Sequence, residues 1–147
     1  MIPSRASVIT LGARDIDALR AFYRGLGWKA VVDMEGFAAF ELRGAVLALF
    51  PLDELAADAR VPAAPTEPGM RGFSIAINVD RREQVDEAIA EVRKAGGRVT
   101  KEPVDMEWGG RSAYFADPED NFWEVAWVPP ESNMARALEQ ASGITPV

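Results

Sequence analysis

Hydrophobic and polar positions fall into two stretches of the chain that read the same way. The first runs Val8-Ile9-Thr10-Leu11-Gly12-Ala13, then Arg14-Asp15, then a helical stretch closing at Leu26-Gly27. The second runs Ser74-Ile75-Ala76-Ile77-Asn78-Val79, then Asp80-Arg81, then a helical stretch closing at Gly96-Gly97. Each begins with the alternation of a strand, continues with the spacing of an amphipathic helix and ends on glycine. Asp15 stands where a helix N-cap belongs, with Ile16, Leu19, Phe22, Tyr23 and Leu26 on one stripe. Asp80 with Glu83 has the form of a capping box, ahead of an apolar stripe of Val85, Ile89 and Val92.

Strand-like sequence follows each helix. It covers Trp28 to Val32, Phe37 to Leu42 and Ala45 to Phe50 in the first half, and Arg98 to Pro103, Arg111 to Ala116 and Phe122 to Val128 in the second. Turn residues separate these runs at Glu35-Gly36, Arg43-Gly44, Gly109-Gly110 and Asp117 to Asn121. The order βαβββ, met twice, predicts an α+β fold of two tandem modules forming one pseudo-symmetric curved mixed sheet with helices on its outer face. The whole chain, 1–147, reads as one domain. Module one takes about 7–50, a linker 51–71, module two about 72–130 and a terminal helix about 131–141. Leu52 to Ala59 predicts a short helical turn, and the linker is long enough to fold over a groove as a lid.

Alternation also assigns faces. Phe73, Ile75, Ile77 and Val79 suit the underside of the second helix, which turns Ser74, Ala76 and Asn78 the other way. Ile9, Leu11 and Ala13 are the matching set in module one, with Val8, Thr10 and Gly12 opposite. Laying Ala45 to Phe50 over Asn121 to Ala126 sets Ala48 against Glu124. Trp123, Val125 and Trp127 are then core, and Glu124 faces the hollow. A carboxylate between such neighbours has to be hydrogen-bonded, raised in pKa, paired with a basic residue of a neighbouring strand, or reserved for a ligand.

Composition narrows the chemistry. Cysteine and histidine are both absent, which excludes disulfides, thiolate chemistry and a Ser–His couple. Sixteen Lys and Arg against twenty-three Asp and Glu leave a net charge of −7. That charge disfavours nucleic acid and mildly favours cationic ligands, although its simplest use is solubility. No stretch is apolar for the length of a membrane span and no signal-peptide core follows Met1, so no membrane association and a cytoplasmic location are expected. No glycine-rich phosphate loop occurs, because Gly25-Leu26-Gly27 follows a helix instead of opening one.

The sequence resembles the glyoxalase / bleomycin-resistance / extradiol-dioxygenase superfamily, the vicinal oxygen chelate proteins. Asp15, Phe22-Tyr23 and Leu26-Gly27 match its D-x6-F-Y-x2-L-G pattern. Trp108-Gly109-Gly110, Tyr114 to Pro118, Phe122 to Val125, Phe73 to Asp80 and Ala95 to Gly97 follow in the family's order, over residues 7 to 130. Metal-dependent members place one ligand on each of four equivalent strands, and those positions fall here on Val8, Ala48, Ser74 and Glu124. A single carboxylate in that set implies no metal ligand and no cofactor. Asp120 stands where the family turn has glycine, a place Asp tolerates.

Two classes of function stay open. One is a metal-free protein that binds a small organic molecule, cationic or aromatic, in a groove lined by Thr10, Phe40, Ser74, Asn78, Trp108, Tyr114 and Glu124, with Phe37 and Trp123 as further aromatic surface. The alternative is an isomerase or lyase, either with Glu124 as catalytic general base or with an atypical metal site drawn from Asp105, Glu107 or Glu41. The resemblance also implies a homodimer.

Overall fold

The computed structural model describes residues 1–65 and 67–142. In chain order the elements are β1 (Val8–Ala13), α1 (Ile16–Gly25), β2 (Ala30–Met34), β3 (Phe37–Leu42), β4 (Ala45–Pro51) and α2 (Leu52–Ala59). They are followed by β5 (Ile75–Asn78), α3 (Gln84–Lys94), β6 (Arg98–Asp105), β7 (Arg111–Ala116), β8 (Phe122–Trp127) and α4 (Asn133–Ser142). Two compact units meet at the Gly69–Met70 bond. Each holds a four-stranded mixed sheet, ordered β1-β4-β3-β2 in the first and β5-β8-β7-β6 in the second. The first strand of each unit pairs in parallel with the last, and the other pairings are antiparallel. Parallel pairing needs a crossover, which the helix and two intervening strands supply. The fold is α+β, built from tandem βαβββ modules as the sequence predicts.

The duplication extends to backbone detail. Thr10 pairs with Ala48 in the first unit and Ala76 with Glu124 in the second, so the two registers superpose as the sequence overlay requires. A register shift falls between Ala30 and Val32 opposite Phe40 and Ala39, and again between Val99 and Lys101 opposite Phe115 and Tyr114. One extra residue, Val31 or Thr100, is thus inserted at the same place in both modules. The helices also end alike. Gly27 N–H donates to Arg24 O and Trp28 N–H to Tyr23 O, while Gly96 N–H donates to Arg93 O and Gly97 N–H to Val92 O. Gly27 and Gly96 carry φ of +83° and +85°, a region only glycine enters without strain.

Each helix buries its stripe on one face of its own unit. Leu19, Phe22 and Tyr23 of α1 are buried with Leu11, Ala38, Phe40, Leu47 and Leu49, and Tyr23 stacks on Trp28 at 5.2 Å. Val85, Ile89 and Val92 of α3 are buried with Ala113, Phe115, Trp123 and Val125. Burial of each such side chain contributes about 1.5–3 kcal/mol. On the other face of the first sheet, α2 packs so closely on β1 that a β-carbon at Gly12 would stand 2.7 Å from Leu52 Cδ1. Only glycine leaves room there.

Several local expectations are corrected. Asp15 caps α1, accepting from Ala18 N–H at 2.9 Å, but Asp80 and Glu83 form no capping box on α3. The chain makes a turn over 81–83 first, and Gln84 Oε1 accepts from Arg81 N–H at 2.8 Å instead. Phe73 lies ahead of β5 and is half exposed, so it is not part of the helix-facing set. β2 begins two residues later than the pattern suggests, and β6 runs on past Pro103 to Asp105. Proline is tolerated because β6 is an edge strand. Among the described residues no helix is long and apolar enough to cross a membrane.

Arg111 of β7 ties the second unit's layers together. It donates to both oxygens of Asp86 on α3, at 2.7 and 2.8 Å, and to Asp105 of β6 at 2.9 Å. These hydrogen bonds hold the carboxyls of Asp86 and Asp105 below their usual range, with Arg82 assisting at Asp105. A depressed carboxyl pKa adds stability that is complete above the unfolded value, about 3.9, and disappears as pH falls through the folded one. Arg111→Met is therefore expected to lower the urea midpoint at pH 7 modestly, since both carboxylates are more than half exposed and screened. The gap from the parent should close in acid below that value. A gap independent of pH would mean that Arg111 acts through packing alone.

Candidate functional site

The helix-opposite face of the second sheet gathers the polar side chains. Glu124 on β8 pairs with Ala76 on β5 and with Tyr114 on β7, and Tyr114 pairs with Lys101 on β6. Residues that pair directly share a face, so these strands bring Glu124, Tyr114 and Lys101 into one row. Alternation adds Ser112, two residues from Tyr114, and Ser74 and Asn78 on either side of Ala76. Ser112 is buried, Glu124, Tyr114 and Lys101 are partly buried, and Ser74 and Asn78 are exposed.

The row is hydrogen-bonded in sequence. Lys101 Nζ donates to Ser112 Oγ at 3.1 Å, and Ser112 Oγ donates to Glu124 Oε1 at 2.7 Å. Tyr114 stands beside Glu124 in the register, and Ser74 and Glu124 both act on its hydroxyl. Burial above all, then the charge of Glu124, raises the Tyr114 phenol above its usual range, while Ser74 pulls the other way. The phenol therefore keeps its proton at neutral pH, beside the Glu124 carboxyl. Lys101 Nζ also lies 3.4 Å from Met106 Sδ and 5.2 Å from the centre of the Tyr114 ring. Glu124 is hydrogen-bonded, one of the alternatives its position in the sequence allowed, and the nearest basic group reaches it through a serine.

The equivalent positions of the first unit carry none of this chemistry. Its registers match Ala48 to Glu124, Ala39 to Tyr114, Val32 to Lys101 and Val8 to Ser74. Phe37, two residues before Ala39, matches Ser112, and its ring meets Phe50 at 6.1 Å. Five polar residues in one module thus answer to five apolar ones in the other.

The other residues singled out from sequence divide. Thr10 is exposed beside Ala48 on the apolar face of the first unit. Phe40 is fully buried on the opposite, helix-packed side, 5.9 Å from the Tyr23 ring, so it is a core residue and lines no ligand face. Trp108 lies in the β6–β7 turn, half exposed, with its ring over the α-carbon of Gly110. It shares no hydrogen bond or ring contact with the Glu124 row. Lys101 and Ser112, which sequence reasoning did not single out, belong to the row as fully as Glu124.

The donor set at the four family positions does not fit a transition metal. Val8 and Ala48 offer no lone pair, Ser74 offers a hydroxyl, and the Glu124 carboxyl already accepts from Ser112. Among the described residues no three acidic side chains gather to hold an ion. Asp105, the first of the substitute ligands, is instead bonded to Arg82 and Arg111, and Glu107 and Glu41 are exposed.

Comparison with known proteins agrees with this fold. The family model of the Glyoxalase/Bleomycin resistance protein/Dioxygenase superfamily matches residues 5–125. A glyoxalase-related enzyme from Fulvimarina pelagi is similar at 31% identity and a TM-score of 0.78, over 86% of this chain and 90% of that one. A glyoxalase/bleomycin resistance protein/dioxygenase from Nocardioides is similar at 29% identity and 0.75, over 90% and 87%. A lactoylglutathione lyase from Agrobacterium tumefaciens is similar at 28% identity and 0.64, over 85% and 94%. No curated protein matches the chain.

Proposed function

Because the chain belongs to the Glyoxalase/Bleomycin resistance protein/Dioxygenase superfamily, we propose that it binds a small organic molecule, without a metal, on the polar face of its second module. The observation that carries this reading is the gathering of Glu124, Tyr114, Ser112 and Ser74 on one sheet face, with Ser112 donating to Glu124, where the equivalent positions of the duplicate module, Ala48, Ala39, Phe37 and Val8, are apolar. A purely structural role would need no such difference between the copies. Glu124 and Tyr114 are fixed in advance by their neighbours, so little freedom is lost when a ligand engages them. The family's habit of dimerising makes a homodimer the expected assembly, which light scattering would test at the level of mass, and a cytoplasmic location belongs to the same reading.

An isomerase or lyase reading shares the same residues. Its support is that the Glu124 carboxyl, held by Ser112, stands beside the Tyr114 hydroxyl, a pairing of groups that general acid–base chemistry uses. The similarity to a lactoylglutathione lyase from Agrobacterium tumefaciens keeps this alternative in view.

A fragment screen followed by NMR separates these readings. Hits are expected to move the resonances of Ser74, Tyr114 and Glu124 together. Glu124→Gln should weaken them at least tenfold, about 1.4 kcal/mol, with the unfolding midpoint nearly unchanged. Product formation from any hit would favour the enzyme. Stoichiometric metal in protein purified without chelator, or hits indifferent to Glu124→Gln, would defeat the proposal.

A further inference from the structure

Lys101 is the one cation in the polar row, and its partners are all neutral. Its ammonium has three N–H donors. One is taken by Ser112 Oγ, one is directed at the Met106 thioether, and the Tyr114 ring offers a π face at 5.2 Å. Among the described residues no carboxylate comes within ion-pair distance of Nζ. Glu124 lies beyond Ser112, which donates to it at 2.7 Å.

The backbone places this lysine deliberately. Val99 pairs with Phe115 on the helix-facing side, so simple alternation would send Lys101 to that side as well. The register shift at Thr100 turns it to the side of Tyr114 instead. The same shift in the first module sets Val32 beside Ala39. A cation held by a hydroxyl, a sulfur and a ring, on a partly buried face, offers an unneutralised charge to whatever binds there.

We propose that Lys101 is the anion-recognising residue of this site, and that the ligand is an organic acid whose carboxylate or other anionic oxygen takes its remaining N–H. The inference rests on the binding reading given above and names its ligand class. It runs against the cationic ligand that the net charge of −7 favours, because an anion in contact with the Lys101 ammonium feels that charge more than the distant surface.

Phenylacetate, phenylacetamide and 2-phenylethylamine serve as probes, equal in body and different in charge. Binding is read by titration and by the Tyr114 resonances, on the full chain. Phenylacetate is expected to bind at least tenfold more tightly than the amide. Lys101→Met should bring that ratio close to one, Lys101→Arg should keep it, and Glu124→Gln should leave it undiminished. Preference for the amine, or equal weakening of acid and amide by Lys101→Met, would overturn the assignment and leave Lys101 as a support for Glu124. If none of the three moves Tyr114 while hits from the fragment screen do, the organic-acid assignment falls and the binding reading survives. If the screen itself finds nothing, both fall.

Discussion

Trp123→Ala is expected to lower the unfolding free energy by about 3–5 kcal/mol, a large share of the roughly 5–15 kcal/mol that holds a domain together. Trp123 is 1% exposed and stands on β8, between β5 and β7 in the centre of its sheet. Ile75 flanks it on one side and Phe115 on the other, with the Phe115 ring parallel to the indole at 6.2 Å. Alanine there removes the largest buried side chain of the second unit, and a sheet fixed by two ladders of hydrogen bonds cannot collapse to fill the space. Trp127 is on the same strand and the same face but only partly buried, so Trp127→Ala should cost about half as much or less. Urea denaturation followed by far-UV circular dichroism measures both. Equal losses at the two positions, or a Trp123→Ala loss near 1 kcal/mol, would contradict the assignment of faces on β8 and with it the position of Glu124 between them.

Face assignment is where the sequence was most legible and also where it misled. Alternation placed Glu124 and Ser74 on the polar side and Trp123 and Val125 in the core, because β5 and β8 run without interruption through their pairing. The overlay of Ala48 on Glu124 holds for the same reason. Phe40 was lost by a single step: Ala39 pairs with Ala48, so its neighbour Phe40 points to the helix. Lys101 was hidden by the inserted residue at Thr100, which turns it to the side of Tyr114 before a second shift, between Lys101 and Val104, restores the original alternation. No feature of Arg98 to Pro103 announces that insertion. Pro103 alone hints at an irregular edge strand, since it cannot donate to a ladder. Ser112 was in plain view two residues from Tyr114, yet a lone serine in a strand carries no signal until a carboxylate and a lysine are seen at its oxygen.

The contrast between modules follows from the same registers. Duplication supplies two sheets with one backbone plan, down to the shift in the edge strand. The clearest differences are five apolar-to-polar exchanges on the helix-opposite face. A β-sheet permits this because its two faces are chemically independent: residues on one can change polarity without touching the packing beneath the helix on the other. The core sets of the two units are accordingly both apolar, while the other faces diverge into Val8, Val32, Phe37, Ala39 and Ala48 on one and Ser74, Lys101, Ser112, Tyr114 and Glu124 on the other.

Asp117→Ala should cost about 2–4 kcal/mol, and it should disturb the polar row although it touches none of its members. Asp117 is 4% exposed in the turn between β7 and β8. Its Oδ1 accepts from the backbone N–H of Glu119 and of Asn121, both at 2.9 Å, and its Oδ2 accepts from Asn121 Nδ2 at 2.9 Å. Asn121 is itself 5% exposed, so water cannot readily replace those acceptors once the carboxylate is gone. Asp120 holds φ at +58° within this turn, which closes because the side chain of Asp117 draws the chain back upon itself. Arg71 braces the outside, donating to Glu119 O at 2.9 Å. The turn sets the register that pairs Tyr114 with Glu124, the third pair along the hairpin's two arms, so its loosening should broaden their NMR signals before global unfolding. Asp117→Asn keeps an acceptor oxygen and should lose about half as much as the alanine variant. In a double-mutant cycle with Asn121→Ala, the two losses should fail to add by about 1 kcal/mol or more, since each removes the other's partner. Strict additivity, or an Asp117→Ala loss below about 0.5 kcal/mol, would mean that the main-chain bonds from Asp117 N–H to Asn121 O and from Asp120 N–H to Asp117 O hold the turn by themselves.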